Sequence, residues 1–405
     1  MYGPASNSAK ITTISLFMLS AAAISWADNA PSKPATPTLT DILANSGITA
    51  TGYVSATYSY FGFSGSYLSS PSTQSAAASD YNTFLFQQAG LTIALQPSSG
   101  FGALIDVVAT PYSSIYVNNY APDPNYYLSS GSKPGAPTFA VLQGFAQYAS
   151  GPWTVIAGKF PTLAGAEVYA PTGNVNVTRS ILYTEEPVTH TGVRATYAAS
   201  STFSVILGVN NGWFNGGGET SVGSNKTIEA GISFIPNKTW SWTLQNYYGR
   251  DLNLYGTTSG LELLDTVLTW NATSALSLVG TADYGNVGST TNSPSASWWG
   301  AGAYINYQFS PKWRASLRGE YFDDQDGYLT DAAYVSPPSS LLASAGAEKL
   351  KEVTLTLGFD PIKNFELRLE GRYDDPDRVT PAGTNTAVAV YSKTTQGWLE
   401  ALFHF

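Results

Sequence analysis

The feature that most constrains this chain is a two-residue period written in charge. In residues 365–373, Phe365, Leu367, Leu369 and Tyr373 alternate with Glu366, Arg368, Glu370 and Arg372. In residues 313–321, Trp313, Ala315, Leu317 and Tyr321 alternate with Arg314, Ser316, Arg318 and Glu320. Successive side chains of a β-strand point to opposite faces, so each segment reads as a strand with one oily and one charged side. The last nine residues repeat the pattern. Gly397, Leu399, Ala401, Phe403 and Phe405 share one face, and Glu400 and His404 lie between them.

The rest of the chain carries the same period. Strands are expected at about 47–61, 83–96, 101–110, 139–149, 152–160, 190–199, 202–210, 227–235, 239–250, 260–270, 275–285, 297–309, 312–322, 350–360 and 365–373, with a sixteenth closing the chain. The connections between them alternate in length, roughly two to five residues and then roughly ten to thirty. Sixteen strands joined this way have seven short turns on one rim and eight long loops on the other. Both termini fall on the short-turn side. The expected fold is therefore all-β: a transmembrane antiparallel up-and-down barrel of about 16 strands, with 14 or 18 as the neighbouring even counts. Short turns would face the periplasm and long loops the exterior.

Energetics set the direction of each face. A charge on the lipid side of a barrel costs roughly 2–4 kcal/mol at the bilayer midplane, so the charged faces must line a lumen. A soluble β-sandwich is the competing fold. It would have to pack an unusually aromatic core, with 26 Tyr and 10 Trp, and it does not explain the rhythm of loop lengths. The chain is only 12% charged, as expected when half of each strand faces lipid.

Residues 1–27 read as a secretory signal. Lys10 is the only charge there, residues 11–24 are apolar or small, and Ser25, Trp26 and Ala27 suit cleavage after Ala27. Residues 28–45 are Pro-rich and polar and read as a periplasmic lead-in to a barrel over 46–405. The sequence has no cysteine, which excludes disulfides and thiolate metal sites. The net charge of −9, with no basic stripe, argues against a nucleic-acid partner.

A barrel of this size is too wide for its own side chains to fill, so water enters unless a loop or plug prevents it. The most distinctive stretch is the third long connection, about 161–189, with its flanks. Gly158, Lys159 and Phe160 lead into Gly165 and Glu167. Asn174, Asn176, Arg179 and Ser180 follow, then Pro187, Thr189, His190, Thr191, Gly192 and Arg194, and later the run Asn210, Asn211, Gly212 and Trp213. This pattern resembles the β-barrel porin family two, the OmpL-like porins. The resemblance implies an outer-membrane porin with poorly defined substrates, and it brings no established functional residues. In general porins the third loop folds inward and narrows the channel. Here such a loop carries both signs, and the candidate pore constriction is Lys159, Glu167, Arg179, Glu185, Glu186, His190 and Arg194. Opposed charges in a narrow aqueous passage select by charge and dipole. The plainer reading is that Arg179 pairs with Glu185 or Glu186 and pins the loop. His190 reads as a hydrogen-bonded wall residue rather than a proton switch.

The expected lumen wall comprises Arg314, Arg318, Glu320, Glu366, Arg368, Glu370 and Arg372, its arginines forming a basic ladder. Asp323, Asp324, Asp326, Asp331, Asp374, Asp375 and Asp377 are expected to form an acidic external mouth. The run 323–327 fails the EF-hand pattern, because Phe322 and Ala333 stand where acids are needed. No dedicated metal site and no cofactor is expected, and weak divalent binding shared with lipopolysaccharide is compatible with that mouth. Gly216, Gly217 and Gly218 lack the strand-to-helix context of a phosphate loop. Phe403 and Phe405 are the expected assembly signal for the barrel-assembly machinery. With only His190 and His404 and no nucleophile motif, no catalytic residue is assigned. The expected function is passive diffusion of small hydrophilic solutes or ions. A plugged structural or adhesive barrel, or a barrel-embedded hydrolase, is the alternative. Partners would be outer-membrane lipid, lipopolysaccharide and solutes. A homotrimer suits the size class, with no interface legible in the sequence.

Overall fold

The computed structural model describes residues 46–64, 82–110, 138–212, 225–252, 258–291, 294–329, 348–378 and 393–405. Residues 1–45, Trp213, the glycines 216–218 and Asp331 lie outside the described residues. Sixteen strands follow in chain order: β1 (Thr49–Ser64), β2 (Thr83–Leu95), β3 (Gly100–Thr110), β4 (Thr138–Ser150), β5 (Trp153–Pro161), β6 (Thr189–Ala198), β7 (Phe203–Asn210) and β8 (Thr227–Phe234). They continue as β9 (Trp240–Leu252), β10 (Thr258–Asn271), β11 (Leu276–Val287), β12 (Ala296–Ser310), β13 (Trp313–Asp324), β14 (Glu348–Ile362), β15 (Phe365–Arg378) and β16 (Lys393–His404). Each pairs antiparallel with its neighbours in sequence, and β16 returns to pair with β1. The sheet thus has no open edge. In hydrocarbon this is one of only two ways a backbone can satisfy all its polar groups.

The closure shows why the last residues are as they are. Phe405 N–H donates to Gly52 O at 2.9 Å, and Gly52 N–H donates to Phe405 O at 3.0 Å. A Cβ at Gly52 would meet the Phe405 ring, so glycine lets the final aromatic lie across β1. Along β16, Leu399 and Phe403 point out, while Trp398, Glu400 and Leu402 are buried inside.

Short turns are specified locally. At four of them one side chain accepts the N–H groups two and three residues on: Ser200 from Thr202 and Phe203, Asn237 from Thr239 and Trp240, Thr273 from Ala275 and Leu276, and Ser310 from Lys312 and Trp313. Such a side chain mimics a backbone turn and reverses the strand within a few residues.

The outer face is layered as a membrane requires. Leu207, Leu268, Ile305, Leu317, Leu355 and Leu369 are exposed along its middle. At the short-turn rim, aromatic rings meet between neighbouring strands: Phe101 and Tyr148 tilted at 4.8 Å, Trp153 and Tyr197 tilted at 4.7 Å, and Trp240 stacked on Trp270 at 5.2 Å. Towards the other rim, Tyr58 meets Phe84 at 4.8 Å and Trp299 meets Tyr321 at 5.3 Å. Two aromatic girdles around an aliphatic band are the outer surface of a transmembrane barrel. Inward, β13 buries Ser316, Arg318 and Glu320, and β15 buries Glu366, Arg368, Glu370 and Arg372.

Candidate functional site

The chain leaves β5 at Pro161 and re-enters the sheet at Thr189. The connection between them has a 3-10 turn at Pro171–Gly173 and one short helix, α1 (Ile181–Glu185). Ser180 starts α1 by accepting the Tyr183 N–H at 3.0 Å. Pro187 ends it, because the residue before a proline is driven out of the helical region, and Glu186 has ψ 154. At the root, Thr162 N–H donates to Val188 O at 2.9 Å. The Tyr247 hydroxyl of β9 accepts from Leu163 N–H at 3.0 Å and lies 3.1 Å from Thr162 Oγ1. Asn174 folds the first half on itself, with its amide donating to Val168 O at 2.6 Å and to Ala170 O at 2.8 Å.

Beyond the root, the loop's polar groups meet the inward-facing side chains of β13, β14 and β15. Four arginines reach loop carbonyls. Arg368 donates to Pro171 O at 3.1 Å, Arg314 to Val175 O at 2.8 Å, Arg318 to Thr178 O at 2.8 Å and Arg372 to Arg179 O at 2.5 Å. Carboxylates take the loop's N–H groups. Glu370 accepts from Val177 at 2.6 Å and Thr178 at 2.9 Å, and Glu320 accepts from Ile181 at 2.6 Å. Thr356 of β14 accepts from the Asn176 amide at 2.6 Å.

The expected basic ladder is thus a docking rack with its charge matched. Arg318 is fully buried and binds Glu167 at 2.7 Å and Glu352 at 2.9 Å. Arg368 binds Glu366 at 2.7 Å and Glu400 at 3.1 Å, Arg372 binds Asp374 at 2.8 Å, and Arg314 pairs with Glu366. Burial makes this matching necessary, since removing one partner of a buried pair costs roughly 3–5 kcal/mol.

The expected pairing of Arg179 with Glu185 or Glu186 is not formed. Arg179 instead donates to Val168 O at 3.0 Å and Tyr169 O at 2.8 Å, with its guanidinium carbon 5.7 Å from the Tyr183 ring centre. The loop's own carbonyls are nearer to it than either glutamate. Arg179 therefore braces the loop internally, and Glu167 answers Arg318.

Apolar contacts carry the loop to other walls. Tyr169, Tyr183 and Val188 cluster with Val108 of β3 and Leu142 of β4. Val177 packs on Trp398 of β16, and Ile181 and Leu182 join the cluster of Trp298 and Phe322. Among the described residues, two of the cavities left beside the loop have volumes of about 330 Å³ each. One is lined by Gln96, Gln143, Thr154, Pro161 and Arg194, the other by Val175, Asn271, Asn306, Gln308 and Arg314.

The remaining constriction candidates do not gather at one point. Lys159 is buried on β5, in register with Gly144 and Thr191. Arg194 pairs with Glu229 at 2.7 Å and lies 4.3 Å over the Phe160 ring. His190 is buried against Tyr247, with ring centres 4.7 Å apart, and its Nε2 is 3.3 Å from Thr162 Oγ1. Glu185 ends α1; burial, then the nearby Asp324 charge, pushes its carboxyl up to about 8. Glu186 sits with Asp265 of β10 and Asp283 of β11, and burial followed by the Asp265 charge holds its carboxyl well above the usual range.

Only part of the expected acidic mouth is exposed. β13 runs on to Asp324 and β15 to Arg378, because the alternation continues past the expected ends. Asp374 consequently points inward, buried, and accepts from Arg372, Thr394 and Gln396. Asp324 is buried too and accepts the N–H groups of Tyr328 at 2.9 Å and Leu329 at 2.8 Å. Asp323 meets Lys349 at 3.6 Å and Asp375 meets Lys393 at 2.9 Å. Asp326 and Asp377 are exposed, with Asp326 accepting from Ser297 N–H at 2.8 Å.

Sequence reasoning passed over Glu229, Tyr247, Asp265, Asp283, Glu352 and Glu400 as site residues. All lie on the inward parity of their strands, so counting by twos from a known inward residue would have found them.

A family model described as "Putative beta-barrel porin-2, OmpL-like" matches residues 47–405. No curated protein matches the chain. Among solved structures, the outer membrane channel DcaP of Acinetobacter baumannii is similar at a TM-score of 0.58 and 12% identity, covering 88% of this chain and 97% of that one. The anion-selective porin from Comamonas acidovorans is similar at 0.54 and 10% identity, covering 88% and 99%. OprB of Pseudomonas putida is similar at 0.52 and 13% identity, covering 90% and 96%. At such identities these likenesses show the shared barrel fold alone. The family model spans the whole barrel, and on that match the chain belongs to the OmpL-like β-barrel porin-2 family.

Proposed function

We propose that this protein is an outer-membrane porin that passes small hydrophilic solutes or ions by diffusion, its lumen narrowed by the loop between β5 and β6. The observation that carries the reading is the inward face. A closed barrel of sixteen strands buries arginines and carboxylates where lipid cannot reach them, around a space too wide for side chains to fill. The export signal is cleaved after Ala27, the short turns face the periplasm, and Phe403 and Phe405 are read by the assembly machinery. Asp326 and Asp377 contribute to an external acidic rim beside lipopolysaccharide. A homotrimer fits the size class, and the Vibrio cholerae OmpT neighbour is described in a trimer form.

A second reading has its own support. The loop's apolar side chains reach β3 and β4 as well as β12 and β13, which suits a plugged structural barrel. Liposome swelling separates the two. Vesicles loaded with the folded protein should swell in small sugars and amino acids, at rates that fall with solute size. An absence of swelling for every solute, with the protein shown to be inserted and folded, would leave the plugged reading standing.

A further inference from the structure

Three carboxylates meet where the loop passes β10 and β11. Glu186 comes from the loop, and Asp265 and Asp283 are direct cross-strand partners on the wall. One ligating oxygen from each lies within 4.8 Å of the others. All three are buried, with Asp265 fully so at 0% exposure. Elsewhere in the lumen, Glu167, Glu229, Glu352, Glu366, Glu400 and Asp374 each meet an arginine. Among the described residues neither Asp265 nor Asp283 forms an ion pair.

The second observation is Asp265 itself. Both of its oxygens are buried and lack a hydrogen bond of ordinary geometry, the Gly165 N–H giving only a loose contact, and Asp283 Oδ1 lacks one too. Buried acceptors are satisfied in nearly all folded proteins, and a buried carboxylate demands a counter-charge. A proton shared between Asp283 and either neighbour, Glu186 or Asp265, still leaves at least one Asp265 oxygen unmatched. A cation among the three satisfies all of them.

The donor set selects the ion. Carboxylate oxygens alone favour a hard divalent cation over zinc or copper. Calcium binds oxygen at about 2.3–2.6 Å and tolerates irregular geometry, so a first shell is about 4.8 Å across, which accommodates the observed span. Magnesium, at about 2.0–2.1 Å, would need the group to contract. We propose that Glu186, Asp265 and Asp283 bind one calcium ion, which clamps the constriction loop to the β10–β11 wall.

The test is calcium binding itself, so its failure is distinguishable from failure of the porin reading. The full chain is refolded in detergent from inclusion bodies, free of lipopolysaccharide, stripped with EDTA and titrated with CaCl₂ by calorimetry. Folding of each variant is checked by the shift in gel migration between unheated and boiled samples. Saturable binding of one ion per chain is expected, weakened more than about tenfold in Asp265→Asn and in Asp283→Asn. Glu186→Gln, whose side chain hangs on the loop rather than the wall, should show the same loss even if a wall variant fails to fold. The proposal is overturned if folded wild type shows no saturable binding, or if folded Glu186→Gln binds as wild type does.

Discussion

Replacing Arg318 with methionine should release the constriction loop while leaving the barrel standing. The guanidinium is fully buried and holds Glu167 of the loop at 2.7 Å, Thr178 O at 2.8 Å and Glu352 of the wall at 2.9 Å. Methionine fills much of the volume and supplies none of the donors. Glu167, Glu352 and the neighbouring Glu320 are then left facing one another. Stranding one partner of a buried pair costs roughly 3–5 kcal/mol. The sheet is closed by backbone pairing that this change does not touch, so the cost falls on docking of the loop. At about 1.4 kcal/mol per decade, the docking equilibrium constant drops by roughly two to three and a half orders of magnitude. Protonation of one freed carboxylate will recover part of that. Two assays read the outcome in parallel. Limited proteolysis should cut the variant between residues 162 and 188 at enzyme concentrations that spare wild type. Single-channel records should show larger, noisier steps. Lys363→Met, at an exposed turn position, is the matched control. A folded Arg318→Met barrel with a protease-resistant loop and unchanged current would refute the view that the arginine rack holds the loop.

Three further outcomes follow from the same geometry. Tyr247→Phe removes the hydroxyl that Thr162 and Leu163 share, and loosening of the loop root by about 1–3 kcal/mol should show as faster amide exchange at residues 162 and 163. Gly165→Ala places a side chain on the Glu186 carboxylate at a φ of 84, where it is strained; a cost of about 1–3 kcal/mol should appear as easier proteolysis of the loop with unchanged heat-shifted migration. Leu355→Arg puts a charge on the outer face at a position 58% exposed, and urea unfolding in lipid vesicles should register about 2–4 kcal/mol of lost stability. An equal cost for Leu355→Arg in detergent and in a thick bilayer would argue against that face meeting lipid.

The barrel was legible because its signal is repeated. Alternation in strands near Arg318 and Arg368 recurs around the sheet, and the short turns announce themselves through Ser200, Asn237, Thr273 and Ser310. Strand ends were less legible where the alternation runs on through polar residues. Asp374 reads as loop by composition, yet its parity with Arg372 keeps it inside the sheet. The site was legible in its residue types and opaque in its pairings. Arg179 lies close in sequence to Glu185 and Glu186, and local proximity suggested a bridge among them. The true partner of Glu167 is Arg318, on a strand more than a hundred residues away, and only closure of the barrel brings them together. Asp265 and Asp283 were silent for a similar reason. Asp283 is the single acid of β11 and Asp265 one of two on β10, and they become a group only through the β10–β11 register and the inward course of the loop.

The most direct test of the central reading is single-channel conductance of the refolded, full-length protein in a planar bilayer under a salt gradient. Steady ohmic steps with a defined reversal potential are expected, and the sign of that potential reports whether cations or anions pass more easily. A sealed bilayer, with insertion and folding demonstrated in the same preparation, would contradict the porin reading and make the docked loop a plug.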